Sequence, residues 1–165
     1  MRIGTAALAS AAFFVVAPGS FVGLGPWLIT RWDLPDPVSP WRVALGGVMI
    51  VVGLIPPIHA FVEFVRAGGT PMPVAPTERL VVTGFNRFVR NPMYAGLITA
   101  ILGQAVLFAN MWLVVYAAIA WAVTASFVRW YEEPTLVRTY GQQYETYRDN
   151  VSAWLPRLTP WTPQT

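Results

Sequence analysis

The chain has 165 residues, of which 55% are hydrophobic and 12% charged, with a net charge of +3. Its mean hydropathy of +0.50 and its long apolar blocks exceed what a soluble core of this size could cover, which points to a membrane protein. Cysteine is absent, excluding disulfides, a thiol nucleophile and thiolate metal sites. All eleven basic residues are arginines spread over loops and flanks; with no basic helix face, anionic lipid headgroups are better partners than nucleic acid.

The first apolar stretch runs from Ile3 to Ile29 and is interrupted at Pro18-Gly19. It is one kinked span or two segments meeting at the break, since neighbouring helices can re-satisfy backbone groups that proline frees. It is too long for a signal peptide and has no small-residue cleavage site before a polar region. Gly23-Leu24-Gly25 reads as a packing feature. A second span covers Val43 to Val65, with Pro56-Pro57 as a second kink and the sole histidine, His59, beside it in a packing or hydrogen-bonding role.

Only Asn110 separates a third span, Tyr94 to Ala109, from a fourth, Met111 to Val128. Unbroken, that helix would be about 50 Å long, far beyond a hydrocarbon core of roughly 30 Å, so a hairpin at Asn110 is required. Gly96, Ala100 and Gly103 place small residues at spacings of four and three, which lets a neighbouring helix approach closely. After Glu133, Leu136, Tyr140, Tyr144, Tyr147 and Val151 form an apolar stripe at spacings of four, four, three and four. That pattern predicts an amphipathic helix lying along the membrane surface.

The expected fold is therefore all-α and polytopic. It has four transmembrane helices, five if the first stretch is two, and a C-terminal interfacial helix, within a single membrane domain over residues 1–165. Residues 1–66 supply the N-terminal spans. With four spans, nine arginines fall on the side of the tail and the loop from Arg66 to Pro92, and only Arg31 and Arg42 on the other. The imbalance places the tail and that loop in the cytoplasm, with a bacterial inner (cell) membrane as the expected location.

G-x-S-x-G, H-E-x-x-H, P-loop and G-x-G-x-x-G motifs are all missing, which leaves serine catalysis, zinc hydrolysis and phosphoryl transfer with little support. The informative polar groups are Arg90-Asn91-Pro92-Met93-Tyr94 at the start of the third span and Glu132-Glu133 after the fourth. Each alone suits an ordinary helix boundary. Together, at the open end of one hairpin, they form a candidate pocket that the C-terminal helix can cover.

The ordered motifs L-V-V-T-G-F-N-R-F-V-R-N-P-M-Y-A-G, E-E-P-T-L, Y-G-Q-Q-Y-E-T-Y and W-L-P-R, within residues 77–156, resemble the isoprenylcysteine carboxyl methyltransferase family. Its looser relatives include the membrane phospholipid methyltransferases. The resemblance implies methyl transfer from S-adenosylmethionine, with residues 77–156 as the cofactor-binding part. By position it implies Glu78, Arg79, Leu80, Val81, Asn86, Asn91, Pro92, Met93, Tyr94, Glu132 and Glu133 as cofactor contacts. Glu132, and Arg129 as the neighbour of the family's basic position, are the expected residues nearest the chemistry, with no metal expected.

The chain departs from that pattern in three places. Asn91 stands where eukaryotic members have histidine, Asn86 replaces an aromatic residue, and the substrate-contacting basic position falls on Val128, one residue before Arg129. A carboxylate acceptor is already ionised near neutral pH and needs no base, so a carboxylate or a thiolate is the expected lipophilic acceptor. It would be a small molecule or a lipidated substrate reached from the membrane lipid. Two other readings stand beside this one: an NADPH-dependent enzyme similar to the sterol reductases, and a non-catalytic membrane assembly or transport subunit.

Overall fold

Pro40 opens a long helix, where its missing N–H is needed by nothing. That helix, α2, runs from Pro40 to Arg66 and carries Pro56 and Pro57 inside it. The computed structural model describes residue 16, residues 18–66, residue 80 and residues 82–162. Among the described residues every regular element is helical. A π-helical turn, Ser20–Leu24, leads into α1, Gly25–Thr30. Beyond α2, a 3₁₀ turn at Gly84–Arg87 precedes α3, Pro92–Leu107. α4, Met111–Phe127, continues through a second π-turn, Val128–Glu132, into α5, Glu133–Tyr140. α6 is Gln142–Asn150.

The hairpin expected at Asn110 forms. α3 stops at Leu107, Ala109 takes φ +47°, and the Asn110 side chain accepts from the Trp112 N–H at 2.9 Å, capping α4. The expected close approach forms too, and its partner is α2. A methyl group added at Gly53 would lie 2.6 Å from the Gly96 carbonyl, and one at Gly46 would lie 2.7 Å from the Gly103 carbonyl. Two glycines on each helix thus let the backbones touch, with Pro57 packed on Gly96 as well. The first apolar stretch docks through side-chain bonds to its π-turn. Gln104, buried on α3, donates to the Val22 carbonyl at 2.8 Å, and Tyr116 Oη on α4 donates to the Phe21 carbonyl at 3.0 Å.

Among the described residues two helical stretches, Pro40–Val62 and Met111–Tyr140, are long and apolar enough to cross a membrane, and only 17% and 22% of their apolar windows are buried. Val48, Val51, Val52 and Ile55 on α2, and Val115, Ile119 and Val123 on α4, face outward, a surface that suits lipid. α3 is shorter, at 16 residues, and carries buried residues along most of its length.

α2 is continuous through Pro56-Pro57. One expectation needs correction. The single amphipathic helix after Glu133 is two, because Gly141 adopts φ +53° and breaks it, a conformation that an L side chain resists. The stripe itself holds: Tyr144, Tyr147 and Val151 are buried together, with Leu136 and Tyr140 packed against them. The start of the first stretch, before residue 16, lies outside the described residues.

Candidate active site at the mouth of the hairpin

Arg90 and Asn91 occupy the turn between the 3₁₀ segment and α3, and Glu132 and Glu133 sit where the second π-turn becomes α5. π-turns recur at functional sites because the extra residue re-aims the side chains that follow. Here the two segments meet across the hairpin's open end. Tyr94 Oη donates to Glu132 Oε2 at 3.4 Å. Arg90 Nη1 donates to Glu133 Oε1 at 2.6 Å and to Tyr144 Oη at 3.3 Å. The ion pair is mostly buried, with side-chain exposures of 12% for Arg90 and 20% for Glu133. Arg90 Nε is buried and has no hydrogen-bond partner among the described residues.

Burial, and then the nearby Glu133 carboxylate, raise the Tyr144 pKa, while Arg90 partly opposes them. Tyr144 therefore remains a neutral phenol that accepts from Arg90 and keeps its own proton. Burial also raises the Tyr147 pKa; its hydroxyl donates to the Asn86 carbonyl at 2.7 Å, fastening α6 to the 3₁₀ turn.

The C-terminal tail crosses the same turn. Arg90 N–H donates to the Ser152 carbonyl at 2.9 Å, and Asn91 donates to the Ala153 carbonyl from its backbone N–H at 3.3 Å and from Nδ2 at 3.1 Å. Trp161 N–H and Arg87 Nε exchange bonds with each other's carbonyls, both at 2.9 Å. The W-L-P-R segment lies within this strap, and Arg157 N–H donates to the Phe88 carbonyl at 2.9 Å.

Of the residues singled out by sequence, Asn91, Tyr94, Glu132 and Glu133 converge here, with Pro92 and Met93 in the first turn of α3. Asn91 spends its amide on the tail. Asn86 enters through its backbone carbonyl, and Leu80 packs on the buried tyrosines of α6. Glu78, Arg79 and Val81 lie outside the described residues. Arg129 is exposed and lines a shallow groove with Glu133 and Arg138. His59 stacks edge-on against Phe85 with ring centroids 5.2 Å apart, in keeping with packing. Arg90, within the segment singled out by sequence, joins them through Glu133. Tyr144 was missed as a site member; its signal was its place on the apolar stripe.

A family model for phospholipid methyltransferases matches residues 41–143. The chain belongs to the phospholipid methyltransferase family. The match reaches back over α2 as well as the motif-rich half, and it takes in the hairpin, Arg90, Asn91, Tyr94, Glu132 and Glu133. No curated protein and no solved structure matches the chain. Membership in the phospholipid methyltransferase family supports a membrane methyltransferase, and the hairpin mouth is the place where this chain gathers polar groups suited to one.

Proposed function

We propose that the protein is an integral membrane methyltransferase that uses S-adenosylmethionine and modifies a lipophilic acceptor, a carboxylate or thiolate by preference, at the cytoplasmic face. The observation that carries the reading is the meeting of Tyr94 with Glu132 and of Arg90 with Glu133 at one hairpin mouth, inside the family match. The residues present fit the cofactor. Among the described residues the buried Arg90 Nε has a proton and no acceptor, which suits the carboxylate of the methionine end. Glu132 has acceptor positions beyond the one Tyr94 fills, suited to an ammonium or to ribose hydroxyls.

When bound, S-adenosylmethionine supplies an electrophilic methyl group on a sulfonium. The chain's task is then mainly positioning, and good orientation can provide several kcal/mol of the barrier. Tyr94 fixes the rotamer of Glu132, Glu133 and Tyr144 hold one edge of Arg90, and the tail strap fixes the turn that carries Arg90 and Asn91. Arg129, on the same π-turn as Glu132, is placed to orient an anionic acceptor. An acceptor that arrives ionised requires no base.

Titration calorimetry on the purified protein tests this reading. Wild type is expected to bind S-adenosylmethionine, Glu132→Ala to lose at least about tenfold in affinity, as for a lost charge-assisted contact, and Glu145→Ala, exposed on α6, to bind as wild type. Unchanged affinity in Glu132→Ala would remove the assignment. Stabilisation by NADPH instead would point to a reductase, and stabilisation by neither cofactor to a non-catalytic subunit. Mass spectrometry of lipid extracts incubated with isotopically labelled methyl donor identifies the acceptor.

A further inference from the structure

Beside the hairpin mouth lies a shallow groove of about 620 Å³ to which Arg129 on the π-turn, Arg138 on α5 and Arg148 on α6 all contribute. Its one acid among the described residues, Glu133, is already taken by Arg90 at 2.6 Å. Among the described residues Arg129 and Arg148 make no ion pair, and Arg138 only donates to Thr135 Oγ1 at 3.4 Å. Three guanidinium groups from three elements therefore face a common space with their charge uncompensated. Guanidinium groups match phosphate oxygens in pairs.

The groove's position says where such a phosphate comes from. Val115, Ile119, Val123 and Phe127 recur every four residues along α4, all of them exposed, and the stripe they form runs up to Trp130. Trp130 is 75% exposed and forms a wall of the groove. Exposed tryptophan marks the level of lipid headgroups. A free anion would use the arginines and leave the stripe bare, whereas a phospholipid would use both.

We propose that this groove binds the phosphate of an anionic phospholipid, with its acyl chains along the exposed stripe of α4. The groove shares Arg129 and Glu133 with the candidate active site, but lipid binding here does not require the methyl-donor reading to hold: it needs only the groove and a bilayer beside it. Basic pockets at the ends of membrane helices hold anionic headgroups for the same electrostatic reason.

Thermal unfolding of the full chain in neutral detergent reads out binding to three probes. Dihexanoyl phosphatidylglycerol is expected to raise Tm by at least ~3 °C at saturation, as mass action requires of a ligand that binds the folded state alone. Dihexanoyl phosphatidylcholine and inorganic phosphate at the same concentrations are expected to give less than half that shift. Arg138→Gln and Arg148→Gln, taken singly, should each weaken the phosphatidylglycerol midpoint roughly tenfold, the loss of one charge-assisted contact. Arg148→Lys should retain part of the affinity. Both positions are exposed, so unliganded Tm values close to wild type are expected. No shift with phosphatidylglycerol, an equal shift with either other probe, or unchanged midpoints in both Gln variants would overturn the proposal. An equal shift with inorganic phosphate would identify a plain anion site.

Discussion

Arg90 lies where a buried guanidinium must find acceptors, and two elements supply them: Glu133 from α5 at 2.6 Å and Tyr144 from α6 at 3.3 Å. Removing one partner of a buried pair strands the other, which costs more than the pair itself contributes, whereas replacing both by apolar groups can be nearly neutral. Glu133→Leu alone and Arg90→Met alone should therefore each destabilise the protein by about 2–4 kcal/mol. The double variant should cost clearly less than their sum, with a coupling above about 1 kcal/mol in denaturant titrations. Strict additivity would show that the two charges do not depend on each other. At this scale the sequence disclosed that Asn91, Tyr94, Glu132 and Glu133 belong together, because polar groups at the ends of one hairpin have to meet. It did not disclose Arg90's partners: which acid faces it depends on the extra residue of the π-turn at Val128–Glu132, and a single π-turn leaves no periodic trace. Nor could it show that Asn91 holds the Ala153 carbonyl, since a backbone acceptor has no side-chain signature.

Between elements, contact of α2 with α3 depends on the absence of side chains at the crossing. A methyl group at Gly96 would collide with the Gly53 carbonyl, while one at Gly47, on the same α2 helix, would meet nothing within 4 Å. Gly96→Ala should thus force the helices apart at a cost of about 1–3 kcal/mol. Gly47→Ala should be neutral or stabilising by up to about 1 kcal/mol, because alanine loses less backbone entropy in a helix. Thermal unfolding of the two variants in one detergent compares them, and equal Tm values would remove the crossing as a source of stability. The α3 half of this contact was readable from Gly96, Ala100 and Gly103, and the hairpin from helix length. The partner was not, because a small-residue face says that some backbone comes close without saying which. The division of the C-terminal helix was hidden for a different reason: glycine is tolerated inside helices, and only the φ of +53° at Gly141 distinguishes a break from an ordinary position.

Across the whole molecule, charge and aromatic residues sort by end. The close approach of Gly46 to Gly103 and of Gly53 to Gly96 makes α2 and α3 antiparallel, so Trp41 and Arg42 share an end with the Asn110 hairpin tip. Arg87, Arg90, Arg129, Arg138, Arg148 and Arg157 gather at the other end with the candidate site. Trp112 and Trp130, both exposed, are 18 residues apart on one continuous helix. That spacing is about 27 Å, close to the thickness of a hydrocarbon core. α3 is about 24 Å long by the same rise, and its small residues let it sit beside α2 instead of presenting a full apolar surface of its own. Arginine bias near span ends governs orientation, so the arginine-rich end should face the cytoplasm. A fluorescent protein fused after Thr165 should then be bright and alkaline phosphatase there inactive, while phosphatase inserted at Asp36 or at Asn110 should be active. Active phosphatase at the C-terminus would instead put the hairpin mouth outside, where a cytosolic methyl donor could not reach Arg90 and Glu132.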